Sequence, residues 1–187
     1  MEGVPPAPPL HFARLMSTLF TPDLYTAAKA LLDELQKHAL LVATAESCTG
    51  GLLSGLLTEV PGSSGMFERG FVTYSNAAKT ELLGIPAPLI ERHGAVSEEV
   101  ARAMANGVLE HTPAHIALAV TGIAGPDGGS PEKPVGLVYF GVAARGEATR
   151  VVERRFGSIG RSAIRLASVR EALDLIASAI KPGLQHA

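Results

Sequence analysis

Apolar residues recur along this chain at two spacings, and the spacings separate helices from buried strands. Leu24, Ala27, Ala28, Leu31, Leu32 and Leu35 fall three or four residues apart, which predicts a helix. Thr21 suits its cap and Pro22 its first turn, and the pattern runs out near Lys37 and His38. "ALLVATA" is instead short, continuous and apolar, as expected of a strand covered on both faces. "TGGLLSGLLTEV" returns to helical spacing, with Leu52, Leu53, Leu56 and Leu57 on the core side. "FERGFVTYS" alternates as a second strand, and Asn76 is read as the cap of a short helix closed by Gly84. "SEEVARAMANGVLEH" is strongly amphipathic, with Ser97 as cap and Glu98 and Glu99 complementing the dipole of the first turn. "HIALAVTG" is a third buried strand that runs into the loop "IAGPDGGSPEKP". "VGLVYFGVAA" and "TRVVERRF" predict an antiparallel pair, and a long helix from about Arg161 to Ile180 closes the chain.

Helices alternating with buried strands specify the α/β class, here a three-layer α/β/α sandwich with a mixed, mostly parallel sheet. Residues 1–20, with the run "PPAPP", read as a flexible arm, and residues 21–182 as one domain. In open α/β sheets ligands bind beyond the carboxyl ends of the strands. That rule gathers "ESCTGG", "TYSNAAK" and "TGIAGPDGG" at one rim, because each follows an apolar strand.

Composition narrows the function classes. The chain has 187 residues, 47% of them apolar and 18% charged, which suits one domain with a sizeable core. A net charge of −2 offers no bulk attraction for nucleic acid or an anionic membrane, so no direct nucleic-acid binding is expected. A single cysteine excludes an intrachain disulfide framework and a multi-thiolate metal site. No apolar run approaches the ~18 residues of a membrane-spanning helix, and the acidic, proline-broken start does not suit a secretory signal. The expected compartment is the cytoplasm. Helices rich in Ala and Leu are compatible with a homo-oligomer.

The candidate chemistry lies at the rim. Ser47 sits where a strand hands over to a helix, so it either caps that helix or attacks a carbonyl, with exposed amides stabilising the oxyanion. Cys48 is a rival nucleophile, or a small buried residue. Lys79, one turn into its helix, is a general base if carried into a desolvated cleft, with Tyr74 relaying the proton; the alternatives are a solvated lysine and a core tyrosine. Arg161 and Arg165 share a helix face and are either phosphate ligands or solvated. Asp127 has no His, Asp or Glu partner at ligand spacing, so no metal is expected.

Together, "TAESCTGG", "GSSGMFERGFVTYSNAAK", "HGAVSEEVA" and "TGIAGPDGGSPEKPVG" resemble the CinA C-terminal domain family, whose members include nicotinamide mononucleotide amidohydrolases. The similarity runs from about residue 24 to 180. It implies hydrolysis of the nicotinamide carboxamide to nicotinate mononucleotide and ammonia, without a cofactor. The partner it implies is a small-molecule nucleotide substrate. By matching motif, Ser47 would be the nucleophile, Lys79 the base and Tyr74 an assisting group. Amides of Cys48, Thr49 and Gly50 would hold the oxyanion. Glu46, Gly51, Asn76, Thr121, Gly122, Gly125, Arg161 and Arg165 complete the implied substrate contacts. Relatives tend to carry Gly-Asp-Arg before the last helix, whereas this chain reads "SIGRSAIR" and lacks the acid. That loss is the one feature favouring a catalytically weak nucleotide-binding or competence-associated module.

Overall fold

The computed structural model describes residues 19–181 and Leu184. Most of the expected arm therefore lies outside the described residues. Within them the chain runs α1 (Pro22–Lys37), β1 (Val42–Glu46), α2 (Leu52–Glu59), a 3-10 turn (Ser63–Gly65), β2 (Phe67–Val72), α3 (Asn76–Leu83) and α4 (Ala87–His93). It continues with α5 (Glu98–Glu110), β3 (Ile116–Gly122), β4 (Leu137–Ala144), β5 (Arg150–Arg155) and α6 (Arg161–Ala179). Every strand and helix expected above is present. The short helix α4 is an addition to them, because Pro86 and Pro88 flank its start and seven residues are too few to display a period. Phe20 and Leu184 are both buried in the core.

The five strands are ordered β2-β1-β3-β4-β5. β1 pairs in parallel with both β2 and β3, while β4 is antiparallel to β3 and to β5. Four strands thus share a direction and β4 alone opposes them. The central strands β1 and β3 are buried almost throughout, which is why they read as unbroken apolar runs. The edge strands β2 and β5 carry Glu68, Arg69, Arg150, Glu153, Arg154 and Arg155, charges that discourage pairing with another sheet edge.

The two faces of the sheet differ in residue size. Towards α1, α2 and α6 point Val42, Ile116, Leu118, Val120, Val138, Phe140 and Val142. Towards α3, α4 and α5 point Ala43, Ala45, Ala117, Ala119 and Ala143. Small residues let α5 lie close to the sheet. At Gly141 a Cβ would stand only 2.2 Å from the Ala101 carbonyl oxygen, so only glycine fits there. Three-layer α/β/α packing follows, with the parallel register (Glu46 opposite Val72 and Val120) bringing the ends of β1, β2 and β3 level.

Candidate active site

Level strand ends place the residues after β1 and β2 side by side. The Ser47 amide donates to Val120 O at 2.9 Å, so the chain leaves β1 still tied to β3. Ser47 itself is half-buried and reachable. Whether Ser47 caps α2 is answered by its neighbour. Glu46, fully buried, turns its carboxylate onto the start of α2: Oε2 accepts from the Gly51 and Leu53 amides at 3.0 and 3.1 Å. Oε1 accepts from the amide and hydroxyl of Ser54 at 2.8 and 2.6 Å. A carboxylate at a helix N-terminus satisfies amides that have no partner within the helix and complements the dipole. Glu46 is therefore the cap of α2 and not a substrate contact, and Ser47 is released from capping.

Lys79 comes from α3. Ser75, and not Asn76, caps that helix, accepting from the Ala78 amide at 3.0 Å. Asn76 is the first helical residue and lines an outer groove between α3 and α4 with Thr80, Glu81 and Ile90, away from Lys79. The Lys79 side chain turns inward and is 1% exposed. Its Nζ donates to Thr73 O at 2.8 Å and lies 3.1 Å from Ser47 Oγ. No carboxylate forms an ion pair with it among the described residues. Burial pushes the Lys79 pKa below that of an ordinary lysine, because desolvation penalises the ammonium. At 3.1 Å either the ammonium donates to Ser47 Oγ or the neutral amine takes the hydroxyl proton.

Cys48 is excluded as a thiolate. Burial pushes its thiol up to about 12, so it stays protonated at neutral pH. In the Ser47–Gly50 turn the Gly50 amide donates to Ser47 O at 3.1 Å, and Gly51's amide belongs to Glu46. Gly50 and Gly51 are thus unavailable as oxyanion donors. The amides of Cys48 and Thr49 donate to no backbone carbonyl among the described residues, and both face the Cys48 sulfur. Two buried hydroxyls at this site, Thr49 Oγ1 and Thr73 Oγ1, also lack a partner among the described residues.

The remaining residues divide between rim and scaffold. Tyr74 is 63% exposed, with its hydroxyl 3.4 Å from Arg161 Nη2 and no bond to Ser47 or Lys79. It stands at the mouth of the site, outside the Ser47–Lys79 hydrogen bond. Arg161 also donates to Gly125 O at 2.9 Å, closing the rim between the glycine loop and Tyr74. Arg165 reaches instead to the Ser47 turn, where Nε donates to Cys48 O at 3.1 Å and Nη2 to Thr49 O at 2.7 Å. Thr121 is buried and donates to Ala95 O at 2.7 Å, and a Cβ at Gly122 would strike β4 at Val138. Both are packing positions. Gly125, at φ +72°, packs on Val135 and offers only its carbonyl to the rim. Sequence reasoning missed Lys133, whose Nζ donates to His93 O and Val96 O at 2.7 Å each and stitches the glycine loop to the α4–α5 turn. Its partners lie far upstream, and only the identity of a lysine in a glycine loop hinted at a role. The missing acid of "SIGRSAIR" falls at the N-cap of α6, where Gly160 gives no side-chain bond.

Among the described residues no helix is long and apolar enough to cross a membrane, and no cluster of three metal-ligating side chains occurs. Known proteins share sequence and fold with this chain. A CinA-like protein of Akkermansia muciniphila is 57% identical over 122 residues, 65% of this chain and 30% of that protein. A CinA-like protein of Citrifermentans bemidjiense is 50% identical over 161 residues, 86% of this chain and 38% of that protein. The chain thus spans about a third of the length of these curated relatives. The crystal structure of the competence/damage inducible protein CihA from Agrobacterium tumefaciens superposes with a TM-score of 0.84 at 48% identity, over 87% of this chain and 98% of that one. Residues 24–180 match the CinA C-terminal domain, and the chain belongs to that family.

Proposed function

We propose that the protein hydrolyses the carboxamide of nicotinamide mononucleotide to nicotinate mononucleotide and ammonia. The observation that carries this reading is the 3.1 Å approach of a buried, carboxylate-free Lys79 Nζ to Ser47 Oγ. The neutral amine takes the hydroxyl proton while Oγ attacks the carboxamide carbon. Negative charge on the carboxamide oxygen is met by the amides of Cys48 and Thr49. Collapse of the intermediate returns that proton from Lys79 to the departing nitrogen, so ammonia leaves and an acyl-Ser47 ester remains. Water, deprotonated by the same lysine, then cleaves the ester, releasing the nicotinate product and restoring Ser47. One serine and one lysine complete the cycle.

The rim supports the choice of a pyridine nucleotide. Tyr74 presents an exposed ring on which a cationic pyridinium can stack, and Arg161 supplies a cation for a phosphate. The test is ammonia release from nicotinamide mononucleotide, nicotinamide riboside and nicotinamide at equal concentration. The mononucleotide should be turned over fastest, and equal rates on all three would remove the phosphate from the account. A binding module without catalysis is favoured only by Gly160 at the place of the missing acid. Tight binding of the mononucleotide without ammonia release would establish that reading instead.

A further inference from the structure

Arg165 carries an inference that deepens the proposed amidase and rests on it. Its guanidinium is half-buried and reaches from the second turn of α6 to two successive carbonyls, Cys48 O and Thr49 O, at 3.1 and 2.7 Å. A peptide unit is planar and trans, so its C=O and the following N–H point in opposite directions. Anchoring Cys48 O on Arg165 therefore turns the Thr49 N–H away from α6. Ser47 O is held in the same way by the Gly50 amide at 3.1 Å, which sets the direction of the Cys48 N–H. The two amides that carry no backbone bond are thus each oriented by a bond on the other side of their own peptide plane. Thr49 O also accepts from the Leu52 amide at 3.3 Å, so the same carbonyl joins the turn to the start of α2.

We propose that Arg165 is a positioning residue that orients the oxyanion-binding amides of the Ser47 turn, and is not a ligand of the substrate phosphate. Two of its donor groups are committed to the Ser47 turn, whereas Arg161, one turn earlier on the same helix, is exposed at the rim and bonds to Gly125 O and the Tyr74 hydroxyl. One helix therefore carries a rim arginine and a turn-fixing arginine, with separate kinetic signatures. A guanidinium engages both carbonyls through a rigid fork, which a lysine ammonium on its flexible stem cannot do.

The experiment measures ammonia release by the wild-type protein and by R165A, R165K and R161A, with fluorophosphonate labelling of Ser47 as a second readout. For R165A, kcat should fall about 10²-fold with KM changed by less than about 3-fold, the scale of one misaligned donor. Ser47 labelling should slow in parallel, and added guanidinium ion should restore part of kcat. R165K should fall between R165A and wild type, and it decides the matter if circular dichroism shows R165A unfolded. R161A should show the opposite split, with KM raised and labelling unchanged. An R165A or R165K protein with raised KM and wild-type kcat, or with wild-type labelling, overturns the positioning role. A wild-type protein that labels at Ser47 but releases no ammonia overturns the assigned substrate while leaving the labelling comparison to judge Arg165. A wild-type protein that does neither overturns both.

Discussion

Replacing Glu46 with alanine removes the acceptor for three backbone amides and one hydroxyl at the start of α2. Each bond is to a carboxylate oxygen, and bonds to charged groups contribute about 1.5–3 kcal/mol each when broken singly. They are not additive, since one side chain makes all four, and loss of a helix cap alone costs about 0.5–2 kcal/mol. Leu53 is fully buried, however, so its amide cannot turn to water when its partner is removed. The expected cost is about 2–4 kcal/mol, between the single-cap value and the sum. For a chain of this size that lowers Tm by about 4–16 °C. Glu46→Gln separates hydrogen bonding from shape. It fills the same volume, yet it turns one acceptor oxygen into an NH₂ group facing either the Gly51 and Leu53 amides or the Ser54 pair. It should therefore be nearly as harmful as alanine. Calorimetric melting of the wild type and both variants gives the answer. A shift under about 2 °C for both variants would refute the assignment of Glu46 as the cap on which the Ser47 turn is built.

Two other perturbations test the packing and the base. Lys79 is buried with a pKa below its unfolded value, so between the two pKa values the unfolded chain binds more protons and stability rises with pH. Relative to Lys79→Met, the wild type should gain stability as pH climbs from the depressed pKa towards the ordinary value near 10.5, and parallel urea titrations across pH, flat in the difference, would contradict this. Its kcat should rise earlier, as pH passes through the depressed pKa, and level off above it, because the folded lysine is then already neutral. Gly141→Ala places a Cβ against the Ala101 carbonyl and should cost about 1–3 kcal/mol or more by pushing α5 off the sheet. A urea midpoint within error of wild type would show that α5 does not press on β4.

Much of the fold was legible because its signals are local. β1 and β3 announce themselves as apolar runs since both faces are covered, α5 and α6 carry long stripes against the sheet, and α1 carries one against α2 and α6. α4 was not, because seven residues beginning beside two prolines show no period. At α3 the cap lies one residue from its expected place: Ser75 and Asn76 are both good caps, and only the backbone decides between them. The site was legible in composition and not in connectivity. Ser47 and Lys79 are 32 residues apart, and their meeting depends on the level ends of β1 and β2. Glu46 looked like a rim residue because strand-end side chains usually face a ligand, and nothing in the sequence says that it folds onto the next helix. Arg161 and Arg165 look equivalent at one-turn spacing. Their separate roles arise because α6 runs past the glycine loop first and the Ser47 turn second.

The central claim is that Ser47 and Lys79 act as nucleophile and base, and rates of ammonia release from nicotinamide mononucleotide test it most directly. Wild type, Ser47→Ala and Lys79→Met should be compared at saturating substrate, with melting curves confirming that each is folded. Both variants should lose about 10³-fold or more in kcat, since a general base alone contributes about 10²–10⁴ and the nucleophile at least as much. A Ser47→Ala protein that still releases ammonia within about 3-fold of the wild-type rate would contradict the account, because no transition-state contact would then have been lost.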